Sequence, residues 1–124
     1  MPGKPPRTIL LVDDDPLMLE LGRELLEHLG YRVKTVSDAA QALEVFQRQG
    51  VDLVLLDYQL PGLDGYQLLQ ELRILDARVR VLVASGFLSD REATRLRKGG
   101  VRGIIYKPFR LAELQRQIEA ALVI

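Results

Sequence analysis

Five short apolar runs punctuate the chain: Ile9–Val12, Val33–Val36, Leu53–Leu56, Val81–Ala84 and Ile104–Tyr106. Each is nearly continuous in Val, Ile and Leu rather than alternating with polar residues, which is the pattern of strands covered on both faces in a parallel sheet. Elsewhere the apolar residues recur every three or four positions, as on one face of a helix. Met18, Leu21, Leu25 and Leu29 form the first such stripe, which Gly30 closes. Ala39, Ala42, Leu43 and Phe46 form the second, and Gly50 follows it. Leu68, Leu69 and Leu72 form the third, and Leu111, Leu114, Ile118 and Leu122 the last. Three pairs have capping-box spacing at helix starts: Asp38 with Gln41, Asp64 with Gln67, and Ser89 with Glu92, the last opening a fourth helix. Gly99, Gly100 and Gly103 break the chain before the final strand.

The order is a strand followed by a helix, five times over. That alternation predicts an α/β fold: a five-stranded parallel, doubly wound sheet with helices on both faces and right-handed crossovers. A length of 124 residues suits one domain. Residues 1–8 are Pro-rich and polar and read as an N-terminal tail, with residues 9–124 as the domain. No internal repeat or linker interrupts that span. The chain stops where the fifth helix pattern stops, so no output domain is expected within it.

Composition narrows the function classes. Lys and Arg balance Asp and Glu at 17 each, so bulk charge gives no reason to expect nucleic acid or a membrane surface as partner. There is no cysteine, which removes disulfides, thiolate metal sites and a Cys nucleophile and fits a reducing, cytoplasmic location. The tail has no apolar core of a signal peptide, and no apolar run approaches the ~20 residues of a membrane span.

In open α/β sheets, function gathers beyond the carboxyl ends of the strands. Four of the five runs here end on polar residues. The first enters Asp13, Asp14 and Asp15, the third reaches Asp57, the fourth Ser85, and the fifth Lys107–Pro108. Asp15 before Pro16 fits a helix cap. Asp14 and Asp57 converge if the first and third strands are neighbours, and two carboxylates ~4 Å apart repel by roughly 4 kcal/mol at an effective dielectric of ~20. Oxygen ligands without His or Cys suit a hard cation such as Mg²⁺. Lys107 is either a snorkelling surface residue or a fixed positive charge for Asp57 or a phosphoryl oxygen. The proline after it disfavours a helical conformation for Lys107. Ser85 before Gly86 is either a turn residue or a hydroxyl donor to an anion.

These residues resemble response-regulator receiver domains across nearly the whole chain. The matching segments are ILLVDDDP from Ile9, LVLLDYQLPGLDG around Asp57, VASG carrying Ser85 and YKPF carrying Lys107. The resemblance implies a flavodoxin-like (βα)5 fold with strand order 2-1-3-4-5. It implies Asp57 as the phosphoacceptor, Asp14 as a direct Mg²⁺ ligand, Asp13 as a second acid or a ligand through water, and the Gln59 backbone carbonyl as a further ligand. It gives Ser85 and Lys107 to the phosphoryl oxygens, and Pro61 and Gly65 to the shape of the loop after Asp57. The donor would be a histidine kinase or a histidine phosphotransfer protein; weak homodimerisation is a further expectation, direct nucleic-acid binding is not. One departure stands out. The family usually carries Tyr or Phe three residues before its conserved Lys; that position is Ile104, and the nearest aromatic is Tyr106.

Two other classes use similar parts. A phosphatase of the haloacid-dehalogenase type wants a second Asp two residues after its nucleophile, where this chain has Gln59. A flavodoxin-like FMN carrier wants a phosphate-cradling loop after the first strand, where three aspartates would repel phosphate. His28, alone on the first helix, reads as an ordinary surface residue. Arg91, Arg95, Arg97, Lys98 and Arg102 form a basic stretch near the fourth helix, either a solvated face or a partner surface.

Overall fold

A computed structural model describes residues 6–123. Most of the expected tail, residues 1–5, and Ile124 at the end of the expected domain lie outside the described residues. The elements run β1 (Thr8–Val12), α1 (Pro16–His28), β2 (Arg32–Val36), α2 (Ala39–Arg48), β3 (Leu53–Asp57), β4 (Gln59–Leu60), β5 (Leu63–Asp64), α3 (Gly65–Leu75), β6 (Val81–Ser85), α4 (Asp90–Lys98), β7 (Gly103–Tyr106) and α5 (Leu111–Leu122). The main sheet is parallel throughout, in the order β2-β1-β3-β6-β7. Counted among these five strands alone, that is the expected 2-1-3-4-5.

Alternate residues of each central strand feed two apolar layers. Leu10, Val12, Val54, Leu56, Val83 and Ile104 pack with α2, α3 and α4, while Ile9, Leu11, Leu53, Leu55, Leu82 and Ile105 pack with α1 and α5. Burial of both faces explains why β1, β3 and β6 are unbroken apolar runs. β2 departs from the expectation: it is an edge strand, and its Arg32 and Lys34 stand exposed between partly or fully buried neighbours. Charged residues on an edge discourage pairing with other chains.

The stripe on α1 also departs in part from the one expected. Leu25 and Leu29 pack as expected, but Leu21 is 41% exposed, and Leu19, Gly22 and Leu26 complete the buried face. At α2, Asp38 caps Gln41 as expected, but the Gln41 side chain accepts from the Ser37 N–H at 3.1 Å, so the reciprocal box is incomplete. The boxes at Asp64–Gln67 and Ser89–Glu92 are complete.

The pattern gave no sign of β4 and β5. They form a two-residue antiparallel ribbon, Gln59 opposite Asp64 and Leu60 opposite Leu63, closed by Pro61 and Gly62. Gly62 has φ +75°, which suits the third position of a type II turn with Pro before it. The base of the ribbon is tight: Gly65 N–H donates to the Tyr58 carbonyl at 2.6 Å. A Cβ at position 65 would lie 2.9 Å from the Tyr58 Cα, so only glycine permits that approach. Gly65→Ala is therefore expected to destabilise the fold by about 1–3 kcal/mol in urea unfolding. Gly50→Ala, with nothing near its Cβ, is expected to stay within about 0.5 kcal/mol of the parent. Equal midpoints for the two variants would show that the ribbon base is not constrained as described.

Candidate functional site

The sheet is parallel, so Asp13, Asp14, Asp57, Ser85 and Lys107 all arrive at one edge. Val12 pairs with Leu56 in the β1–β3 ladder, which sets the residues after β1 beside the end of β3. Asp57 pairs with Ala84, and Ser85 with Tyr106. The Lys107 N–H donates to the Ser85 carbonyl at 2.8 Å, carrying the ladder one residue past β7. The Lys107–Pro108 peptide is cis.

Asp13 is the most deeply placed acid, 3% exposed. Its Oδ1 accepts from the Asp15 N–H at 2.9 Å, and its Oδ2 accepts from Lys107 Nζ at 2.8 Å. Lys107 Nζ also lies 3.4 Å from Asp57 Oδ1. The lysine is thus shared between two strand ends, and its shorter bond goes to Asp13. Asp14 is exposed and Asp57 half-buried, yet one oxygen from each of Asp13, Asp14 and Asp57 lies within 4.8 Å of the others. Three carboxylates against one ammonium leave two negative charges at the edge. The donor set is all oxygen, it is preassembled and it carries excess negative charge. It fits a hard divalent cation that keeps part of its water shell.

Titration behaviour follows from this crowding. Burial pushes the Asp57 carboxyl above the usual range, the Lys107 charge opposes that, and the Asp13 charge adds to it. The nearby Gln59 backbone N–H opposes it too. Burial pulls Lys107 down, but the bond to Asp13 and the charges of Asp57 and Asp13 outweigh it, and the net shift is upward.

Ser85 is buried and locally engaged. Its hydroxyl donates to the Phe87 carbonyl at 2.8 Å and accepts from the Phe87 N–H at 3.2 Å. Its single proton is committed to the β6–α4 turn, so serving an anion requires giving up that bond. Gln59 is exposed at the foot of the ribbon, two residues from Asp57. Asp15 caps α1 by accepting from Leu17 N–H at 3.0 Å. His28 is an exposed residue ending α1. Ile104 is buried in the apolar layer beneath α2, α3 and α4, whereas Tyr106 is 49% exposed at the edge.

Sequence reasoning missed the polar support around the site. The Tyr58 hydroxyl accepts from Arg95 Nη2 at 3.1 Å, and the same nitrogen lies 3.3 Å from Asp64 Oδ2. Tyr58 reads as one more apolar position in the chain, and an arginine 37 residues away carries no sequence signal for that contact. The basic stretch also divides. Arg95 serves this cluster, while Arg102 donates to the carbonyls of Ala121 and Val123 at the end of α5.

The family model for the response regulator receiver domain matches residues 9–119. The chain therefore belongs to that family, and it is a phosphoacceptor switch domain. It is 40% identical over 119 residues to the transcriptional activator protein PfeR of Pseudomonas aeruginosa, covering 95% of this chain and 38% of that protein. It is 34% identical over 110 residues to the sensor histidine kinase RcsC of Salmonella typhi, covering 89% of this chain and 12% of the kinase. The chain spans between 12% and 48% of the length of such curated relatives. Among solved structures it resembles the receiver domain of sensor histidine kinase PA1611 from Pseudomonas aeruginosa, at 34% identity and TM-score 0.85, covering 94% of this chain and 98% of that one. That structure holds a magnesium ion coordinated in its active site cleft. A CheY-like receiver domain protein from Methanospirillum hungatei matches at 27% identity and TM-score 0.88, with 94% of each chain covered. These relatives give no support to a phosphatase or a flavin carrier. Among the described residues no helix is long and apolar enough to cross a membrane.

A carboxyl group held above its ordinary pKa in the folded state costs stability when ionised. The cost is present above that raised pKa and disappears as pH falls below the unfolded value. Asp57→Asn is therefore expected to raise the thermal midpoint at pH 7 in a metal-free buffer. The difference should close toward pH 3, where Asp57 is protonated in both states. A variant no more stable than the parent at pH 7 would show that the acidic edge is not under this tension.

Proposed function

We propose that Asp57 is the residue that accepts the phosphoryl group, from a phosphohistidine on a histidine kinase or histidine phosphotransfer protein. The observation that carries this reading is the triad of acids meeting around Lys107 at one sheet edge. Asp57 is the strand-end acid beside both the lysine and the other two carboxylates. Its oxygen attacks phosphorus in line, an O–P bond forms, the P–N bond to the donor imidazole breaks, and the electron pair leaves on the imidazole nitrogen. Phosphoryl transfer asks the protein chiefly for positioning and charge neutralisation.

Asp13, Asp14, Asp57 and the Gln59 carbonyl would hold Mg²⁺. The bound ion supplies charge neutralisation for the phosphoryl oxygens. Lys107, already placed between Asp13 and Asp57, follows the charge onto a phosphoryl oxygen. Ser85 gives its hydroxyl to another oxygen by releasing the Phe87 carbonyl, and this loosens the turn that leads into α4. Water later attacks the acyl phosphate and restores the carboxylate, so the only chemistry the domain performs is on itself. A cytoplasmic setting follows from the intracellular donors this reading names. Homodimerisation gains no support from the fold or the relatives.

Acetyl phosphate with Mg²⁺ is expected to add one phosphoryl group per chain, measured by intact mass, and Asp57→Asn is expected to abolish the addition. Chelating Mg²⁺ should slow it by more than tenfold. Label that persists in the Asn variant would place the acceptor elsewhere.

A further inference from the structure

The guanidinium of Arg95, on the second turn of α4, grips the short β4–β5 ribbon at both ends. Nη2 donates to the hydroxyl of Tyr58, the residue directly after Asp57 and directly before the ribbon. The same nitrogen pairs with Asp64, the last residue of the ribbon. The guanidinium carbon sits 4.3 Å from the centre of the Tyr66 ring, on the first turn of α3. Asp64 is doubly committed, since its other oxygen caps α3 through the Gln67 N–H at 2.9 Å. Tyr58 is anchored as well: its ring is buried, its N–H donates to the Ala84 carbonyl at 2.8 Å, and its carbonyl accepts from Gly65.

We propose that Arg95 is a positioning residue for the acceptor loop: it fixes the ribbon that carries Gln59 against α4, and so couples the place of α4 to the geometry around Asp57. The inference rests on Asp57 as the acceptor and on the Gln59 carbonyl facing the metal. Two features make this contact a coupler rather than a simple staple. The Arg95 and Asp64 side chains are each more than a third exposed, and exposed ion pairs contribute little to global stability. Their geometric effect falls on a ribbon of only two residue pairs, held otherwise by the buried Leu60 and by the Gly65–Tyr58 bond at its base. The device also stands where an aromatic reporter is missing. Ile104 is buried in the apolar layer that α4 helps to cover, with no ring to rotate and no hydroxyl to pair. The polar connection to α4 runs instead from β3 through Tyr58. By linkage, anything that moves α4 then changes affinity at the acidic edge, and the reverse.

The test uses charge-conserving variants, so long-range electrostatics stays constant. Tyr58→Phe removes only the hydroxyl, and Arg95→Lys keeps the charge but loses the fork. Arg73→Lys is the control, because Arg73 ties α3 to the end of α4 at the Gly99 carbonyl without touching the ribbon. Mg²⁺ affinity is measured by titration. Amide shifts of residues 90–98 are recorded before and after beryllofluoride binds with Mg²⁺. Tyr58→Phe and Arg95→Lys are each expected to weaken Mg²⁺ binding several-fold and to shrink the α4 shifts, and the double variant should be no worse than the more affected single one. Parent-like values in both variants, or equal deficits in Arg73→Lys, would overturn the inference while leaving the acceptor assignment intact. A parent protein that binds neither Mg²⁺ nor beryllofluoride would overturn the acceptor assignment and this inference together.

Discussion

Everything at the working edge of this domain depends on one ammonium group held among three carboxylates. Lys107 reaches Asp13 at 2.8 Å and Asp57 at 3.4 Å, and Asp14 completes the acidic set. The crowding is imposed by topology. Placing β1 between β2 and β3 sets the acids after β1 beside the end of β3, and the parallel sheet brings the β7 end to the same edge. One cation cannot neutralise three acids, and burial raises the Asp57 carboxyl further. The edge is therefore under electrostatic tension that a divalent ion or a covalent change at Asp57 alters.

The fold can carry that tension because its stability comes from elsewhere. The two apolar layers bury nearly every side chain of β1, β3 and β6 and lock them between α2–α4 on one side and α1 with α5 on the other. These layers hold the strand ends in place whatever the charge state at the edge. The ties around the edge are few and local: the Ser85–Phe87 turn bonds, the foot of the β4–β5 ribbon and the exposed Arg95 contacts that join the ribbon to α4. A rigid sheet with a crowded acidic edge suits a domain whose family role is switching.

Much of this was legible in the sequence, for identifiable reasons. Residues that are buried on both faces must be apolar, so the central strands announced themselves. Strand ends interrupt that rule, so Asp13, Asp57, Ser85 and Lys107 stood out against their runs. The edge strand β2 was read as double-covered because Val33 and Val36 dominate a run whose Lys34 faces water. On α1, Leu25 and Leu29 pack as expected, but leucines occupy several faces of that helix, and only packing selects Leu26 over Leu21. The ribbon was invisible because four paired residues give no periodicity. Contacts such as Tyr58–Arg95 depend on how α4 lies against α3, which local pattern does not encode. The sharing of Lys107 between Asp13 and Asp57 likewise needed distances.

As proposed above, the acidic edge would serve as a preassembled divalent-cation site whose charge excess the ion relieves. The thermal midpoint as a function of Mg²⁺ concentration tests it most directly, compared between the parent and Asp14→Ala, since Asp14 is the exposed member of the triad and makes no bond to Lys107. The parent midpoint is expected to climb with Mg²⁺ and level off at saturation, while the variant stays nearly flat over the same range. Equal Mg²⁺-dependent shifts in both proteins, or none in the parent, would contradict it.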